Sequence, residues 1–338
     1  MATFERLFAG TSSTKLVHEL AVSDLAVIET SPSYEGSVRA IVVDGEYVYA
    51  GGQTTKKIRR YLKSDLSFVD ESPDYGGGIL TLDMDDDYIY AAGDTTRKIR
   101  RYNKSDLSFV DESPGYGGSI LRIIIDGNYI YAGGYTTNKI RRYLKSDLSF
   151  VDESPGYGGL IFNIAIDANY VYAVGMTTQK IRRYLKSDLS FVDESPDYGG
   201  MIWTIEIDDT HAYIGGDTIN RVRKYLKSDL SFADESDEMA GNILNIKIDG
   251  EYAYAGAGTN GKVWKIVKST MEHTETSDIV ALDVYALCGV YAEGTNCQVN
   301  VSDTFKDVSA MQINIGDAWK DVVAAKLNVG DAWKDVFG

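Results

Sequence analysis

Cysteine is scarce: Cys288 and Cys297 are the only two in 338 residues, too few for a disulfide framework. They stand close together near the end of the chain, where a single bridge remains open. No apolar run approaches the ~20 residues that cross a bilayer as a helix, so no membrane insertion is expected. The opening MATFERLFAGTSST sets Glu5 and Arg6 inside its only apolar patch and does not read as a secretory signal. Basic clusters are missing as well. Lys and Arg number 34 against 50 Asp and Glu, a net charge of −16, and the bases are interleaved with acids. A nucleic-acid binder gathers its cations to displace counterions from phosphates, so nucleic acid is excluded as a partner, and anionic membrane surfaces are disfavoured.

Catalytic constellations are also lacking. The three histidines, His18, His211 and His273, sit in different contexts, none beside a Ser, Cys or carboxylate in a recognisable motif. They read as structural or surface residues. No cofactor is implied, and the chain reads as non-enzymatic. A glycan-cleaving enzyme would need two converging carboxylates, for which Asp94, Asp217 and Glu206 are the only candidates. Helix caps and 3.6-residue periodicity are absent too.

What the chain does have is repetition. KSDLSF begins at Lys63, Lys104, Lys145, Lys186 and Lys227, each 41 residues after the last, with degenerate copies at Val22 (VSDL) and Lys268 (KSTM). One unit divides into four short segments of strand character: GILTLDM (78–84), YIYAA (88–92), KIRRYNKS (98–105) and SFVDES (108–113). Tyr, Ile, Val and Phe fill the segments, and Gly, Asp, Asn and Pro mark the breaks. Four antiparallel strands per ~40 residues make one blade of a β-propeller. The fold class is therefore all-β, with a propeller over 1–294.

The innermost strand recurs at Ser37, Gly78, Ser119, Leu160, Met201 and Asn242, and a seventh time at Ile279 (IVALDVY). Residues 6–30 align with strands two to four of the unit: Phe8-Ala9-Gly10 matches Tyr49-Ala50-Gly51. A seven-bladed ring closed by both termini follows, which removes free edge strands within the ring. Six blades with a stray hairpin is the alternative.

From Cys297 the period changes to 14: CQVNVSDTFKDVSA, MQINIGDAWKDVVA and AKLNVGDAWKDVFG. This reads as three hairpins over 295–338, too small to stand alone. Phe305, Trp319 and Trp333 are expected to anchor this tail, either to copies of itself or to another protein.

The blades resemble those of WD-like, YVTN-like and kelch-like propellers. The likeness is architectural: there is no WD dipeptide, and the kelch-style Gly51-Gly52 and Gly133-Gly134 lack the downstream Trp. NIGDAWKDV and NVGDAWKDV resemble C-terminal repeats of bacteriophage tail and baseplate-associated proteins. That resemblance implies a virion location, synthesis in the host cytoplasm, and other virion proteins as partners.

Two repeated features read as structural. Arg59 and Arg60, with their counterparts, are expected to pair with Asp70 and Glu71 on the adjacent strand. Asp83, Asp85, Asp86 and Asp87 would suit Ca²⁺ by charge, but the matching turns read DGE, DGN and DAN, which favours a solvated turn. The Ser-Asp pair of each KSDL turn suits a side-chain-capped turn.

Near-identical blades differ at a few positions. One reads Arg39, Leu80, Leu121, Phe162, Trp203 and Leu244; the next reads Ala40, Thr81, Arg122, Asn163, Thr204 and Asn245; a loop position reads Gln53, Asp94, Tyr135, Met176 and Asp217. Blade topology puts these at one mouth of the central channel. Trp, Phe, Tyr, Met and Arg are enriched in binding hot spots, and loops on rigid scaffolds carry function. The expected ligand face is Arg39, Gln53, Leu80, Asp94, Arg122, Tyr135, Phe162, Met176, Trp203 and Asp217, suited to a cell-surface glycan. A purely structural protein without ligand is the alternative.

Overall fold

The computed structural model describes residues 3–291, except 136, 218, 259–260 and 278–283, together with the backbone of four short strands in the tail. The described secondary structure is strands alone: seven four-stranded antiparallel sheets arranged as a ring, and two two-stranded sheets in the tail. Blade 1 comprises Val38–Val43, Tyr47–Gly52, Arg59–Leu62 and Phe68–Glu71, and blades 2 to 6 repeat it. In blade 7 the inner strand Val284–Tyr291 pairs with Phe4–Thr11, which is followed by Val17–Ala21 and Val27–Thr30. Both termini thus build the last blade, and the ring has seven blades rather than six.

One expectation needs correcting. The seventh inner strand is not IVALDVY from Ile279 but Val284–Tyr291, paired Phe8 to Cys288; residues 279–283 lie outside the described residues. The 41-residue register fails there because this segment shares almost no residues with the other inner strands. In the tail, Gln312–Asn314 pairs with Trp319–Asp321 and Ala325–Asn328 with Trp333–Phe337. Phe305 and the side chains of Trp319 and Trp333 lie outside the described residues.

The hydrophobic core is distributed between blades. Each of seven clusters joins two neighbours: Tyr90 and Ile99 of blade 2 pack with Ile120, Ile123, Ile130 and Tyr143 of blade 3. Clusters of this kind need sheets stacked face to face, so the ring is the unit that buries apolar surface.

Polar straps reinforce each junction. The second basic residue of strand three reaches the next blade: Arg60 Nη1 donates to the Lys104 carbonyl (2.8 Å), Lys224 Nζ to Lys268 O (2.8 Å) and Lys265 Nζ to Val22 O (2.8 Å). In blade 7 that strand-three position is Glu19, and Arg6 on the preceding strand pairs with it (3.5 Å) and donates to Lys63 O (2.7 Å). The cation has moved one strand inward and the strap is kept. The expected cross-strand pairs are present as well, with Arg59 paired to Glu71 at 3.0 Å and Arg60 to Asp70.

The KSDL turn places Leu66 at φ 53°, fully buried, while Asp65 Oδ1 accepts the Ser67 amide at 2.9 Å. A left-handed non-glycine residue costs ~1–3 kcal/mol, and burying the leucine returns ~1.5–3 kcal/mol.

Candidate functional site

Each inner strand carries a register shift at its start: between Val38 and Ala40, Ile79 and Thr81, Ile202 and Thr204, and likewise in the other blades. The skipped residue is a β-bulge, which frees a side chain from the ladder and re-aims it. Those residues are Arg39, Leu80, Leu121, Phe162, Trp203 and Leu244, and in blade 7 Tyr285. All seven line one cavity of about 810 Å³ at the mouth of the central channel. The bulge brings a carbonyl over the end of strand two. A Cβ on Gly93 would lie 1.9 Å from Gly78 O, and one on Gly52 1.9 Å from Ser37 O. This close approach is the reason for glycine at the second position of the kelch-style pair.

Of the expected ligand face, Arg39, Gln53, Leu80, Asp94, Arg122, Tyr135, Phe162 and Trp203 line this cavity; Met176 and Asp217 do not. Those two follow strand two in blades 4 and 5, where Phe162 and Trp203 stack on each other, with centroids 4.2 Å apart and planes at 20°. Arg39 lies over the Tyr285 ring at 3.6 Å. Tyr285 was missed in the sequence because its blade was placed out of register.

Below the mouth, Ala40, Thr81, Arg122, Asn163 and Asn245 form a second tier, and Val42, Asp83, Lys247 and Cys288 a third. Part of this set is structural. Thr81 Oγ1 accepts the Ile123 amide (3.2 Å) and Thr204 Oγ1 the Ile246 amide (3.3 Å), each from a neighbouring blade.

Asp83 is a correction: it belongs to the channel wall rather than to the turn of Asp85, Asp86 and Asp87. Its oxygens accept the amides of Ile125 (2.7 Å) and Met84 (2.9 Å). Burial pushes its carboxyl up, against the pull of those amides, Arg122 and Lys247. Asp85 is spent on the amides of Asp87 and Tyr88, the Tyr90 hydroxyl (3.0 Å) and Lys145 of the next blade (3.2 Å). Among the described residues no cluster suited to a metal ion is found.

The remaining carboxylates considered for catalysis are engaged. Glu206 pairs with Lys247, Asp94 Oδ1 accepts the Gly78 amide (2.6 Å), and Asp217 Oδ1 the Met201 amide (2.7 Å). Burial raises the Cys288 thiol; Cys297, its suggested partner, lies outside the described residues. Among the described residues, four polar atoms in the cavity wall are buried without a hydrogen-bond partner: Arg39 Nε, Arg122 Nε, Trp203 Nε1 and Asn245 Oδ1. Such groups are costly to leave unmet.

No protein-family model matches this chain, and no curated protein matches it. Among solved structures it is similar to the computationally designed Ika8 protein, with a TM-score of 0.65 and 11% identity over 84% of this chain and 91% of that one. It is also similar to the WD40 β-propeller domain of Doa1, with a TM-score of 0.64 and 12% identity over 74% and 86%. At such identities the likeness is one of fold. The chain is a seven-bladed β-propeller built from sequence repeats.

Proposed function

We propose that this propeller is a non-enzymatic binding protein whose channel mouth receives a carbohydrate, and whose C-terminal repeats attach it to a larger particle. One observation carries the first half: a set of positions at which near-identical blades differ falls on the bulges, and that set and most of the two other varied sets line a single cavity. The blades differ at exposed turns as well, where the repeat reads DGE, DGN and DAN, but the channel-mouth set converges on one cavity. The chemistry of the wall suits a sugar, since Trp203 and Tyr135 offer ring surface, and Gln53, Asn163 and Asn245 offer short amides that bond hydroxyls. Tyr135 is 39% exposed at the rim.

The second half rests on the NIGDAWKDV and NVGDAWKDV repeats and their resemblance to phage tail and baseplate proteins. The protein is then a virion-associated adhesin, with Phe305, Trp319 and Trp333 as anchors. Deleting 297–338 and measuring incorporation into particles tests that half, and unchanged incorporation removes it.

Binding of labelled protein to a broad glycan array, beside a Trp203→Ala, Tyr135→Ala double variant, tests the first half. A selective signal lost in the variant establishes the site. A blank array with folded protein favours the structural alternative. One observation supports that alternative: the outer strands repeat an exposed aromatic, with Phe68, Phe109, Phe150, Phe191 and Phe232 each exposed on the rim.

A further inference from the structure

The arginines of this chain are almost all spent. Arg6, Arg59, Arg60, Arg100, Arg101, Arg141, Arg142, Arg182, Arg183, Arg221 and Arg223 each have a carboxylate within 4 Å. Three others have none among the described residues: Arg97, which is exposed on a loop, and Arg39 and Arg122. Arg39 and Arg122 are half-buried, and both line the channel cavity.

Two unpaired guanidiniums in one cavity are unusual for a chain of net charge −16. Arg122 feels the Asp83 carboxylate in the same cavity, yet neither guanidinium has a carboxylate within 4 Å among the described residues. Buried charges are ordinarily paired, and a ligand can supply the missing partner. Neither blade repeat requires them. The residues equivalent to Arg39 are Leu80, Leu121, Phe162, Trp203 and Leu244, and those equivalent to Arg122 are Ala40, Thr81, Asn163, Thr204 and Asn245.

The Nε of each arginine is buried without a hydrogen-bond partner among the described residues, so the protein leaves that donor of each guanidinium unmet. The acids nearby are committed elsewhere: Asp83 to the amides of Ile125 and Met84, Asp94 to the Gly78 amide and the Thr95 hydroxyl (3.2 Å). The aromatic wall of Phe162 and Trp203 lies in the same cavity, and Trp203 Nε1 adds a further unmet donor.

We infer that the channel mouth selects an anionic saccharide, whose carboxylate or sulfate is received by Arg39 and Arg122 while its ring lies against the Phe162–Trp203 wall. This inference rests on the carbohydrate reading above and narrows it to a charge class. Guanidinium recognises either anion through charge-assisted, often bidentate, hydrogen bonds.

The test is calorimetric titration of the full chain with three probes: oligogalacturonate, its neutral methyl ester, and a sulfated galactan oligomer. Arg39→Gln, Arg122→Gln and Arg122→Lys are run beside the wild type, and melting curves report that each variant is folded. The expected result is binding of at least one acidic probe, with the methyl ester at least ~10-fold weaker, as loss of a charge-assisted bond implies. Each Gln variant should lose ~10-fold toward the acidic probe and little toward the ester, with Arg122→Lys intermediate because it keeps charge without the fork. Which acidic probe binds tells carboxylate from sulfate.

Equal binding of acid and ester, or indifference to both Gln variants, overturns the inference while leaving a carbohydrate site in place. Binding of the ester alone does the same. No binding of any probe, with a blank array, overturns both readings.

Discussion

The backbone amide of Phe4 donates to Oδ2 of Asp249 across 3.0 Å, joining residues 245 apart in the chain. Asp249 also accepts the Glu251 amide (2.9 Å), the Tyr252 amide (2.7 Å) and the Tyr254 hydroxyl (3.1 Å). In the preceding blades the equivalent Asp takes a lysine of the next blade instead, as in Lys227 to Asp167 at 2.9 Å and Lys268 to Asp208 at 2.8 Å. At the seam the first strand's own amide fills that place.

Replacing this carboxylate should therefore open the ring at its weakest joint. Asp249→Ala strands several buried donors, and with ~1–3 kcal/mol for each unmet group after partial relaxation a loss of about 3 kcal/mol is expected in urea unfolding. Hydrogen exchange of 4–11 should rise in the same variant. Wild-type stability with protected amides there would disprove the seam's role.

Acid should weaken the same blade through His18. Its ring is 5% exposed, Nε2 lies 3.2 Å from Thr14 Oγ1, and Nδ1 is buried without a partner. Burial lowers its pKa from 6.5 to about 4. The folded state thus binds its proton later than the unfolded chain. The stabilisation is complete above about pH 6.5, drains away as pH falls toward 4, and is then exhausted, amounting to roughly 3 kcal/mol at most. His18→Gln should flatten the stability curve across that window relative to wild type. Parallel curves for the two proteins would show that His18 does not carry the acid sensitivity.

The Arg straps can be weighed at one blade. Arg142 pairs with Asp152, donates to Lys186 O (2.8 Å) and Ser187 O (3.2 Å) of the next blade, and lies 4.9 Å from the Tyr129 ring centre. Its partner carboxylate is about a third exposed, so solvent screening discounts the ion pair. Arg142→Met keeps the stem and removes the donors, and a loss of about 2 kcal/mol is expected from the two orphaned carbonyls and the pair. A change within a few tenths of a kcal/mol would mean that water replaces the guanidinium without loss.

The bulge makes its own prediction. At Gly93 an added Cβ would meet the Gly78 carbonyl at 1.9 Å, a backbone atom that cannot swing aside. Gly93→Ala should cost ~1–3 kcal/mol by overpacking and displace Leu80 from the channel mouth. Gly115→Ala, in open space, is the control and should be nearly neutral. Equal stability of the two variants would mean that the bulge can relax.

Much of this was open to reading in one dimension. The KSDLSF period of 41 and the match of Phe8-Ala9-Gly10 to Tyr49-Ala50-Gly51 yielded four-stranded blades, the count of seven and the shared last blade, because duplicated units must bury the same faces. The inner strand Val284–Tyr291 escaped, since VYALCGVY has lost the repeat's residue pattern while keeping its place in the ring. Asp83 was misplaced for a related reason: four acids in five residues look like one turn, yet strand alternation turns the first of them into the channel wall.

Sequence by itself determined what repeats, namely the strand pattern, the turns and the paired charges, because those depend on neighbours along the chain or one strand away. Only the tertiary structure decided what the exceptions do. The bulged residue itself carries no mark, since it can be Arg, Leu, Phe or Trp; the bulge's trace in the sequence is the glycine at the end of strand two in blades 1 to 5. Arg39 and Arg122 are unremarkable until the ring closes and each comes to line the same cavity, with no carboxylate among the described residues within 4 Å of either guanidinium. Pairing within a blade is a local property, but the contents of the channel are set by seven blades meeting at once.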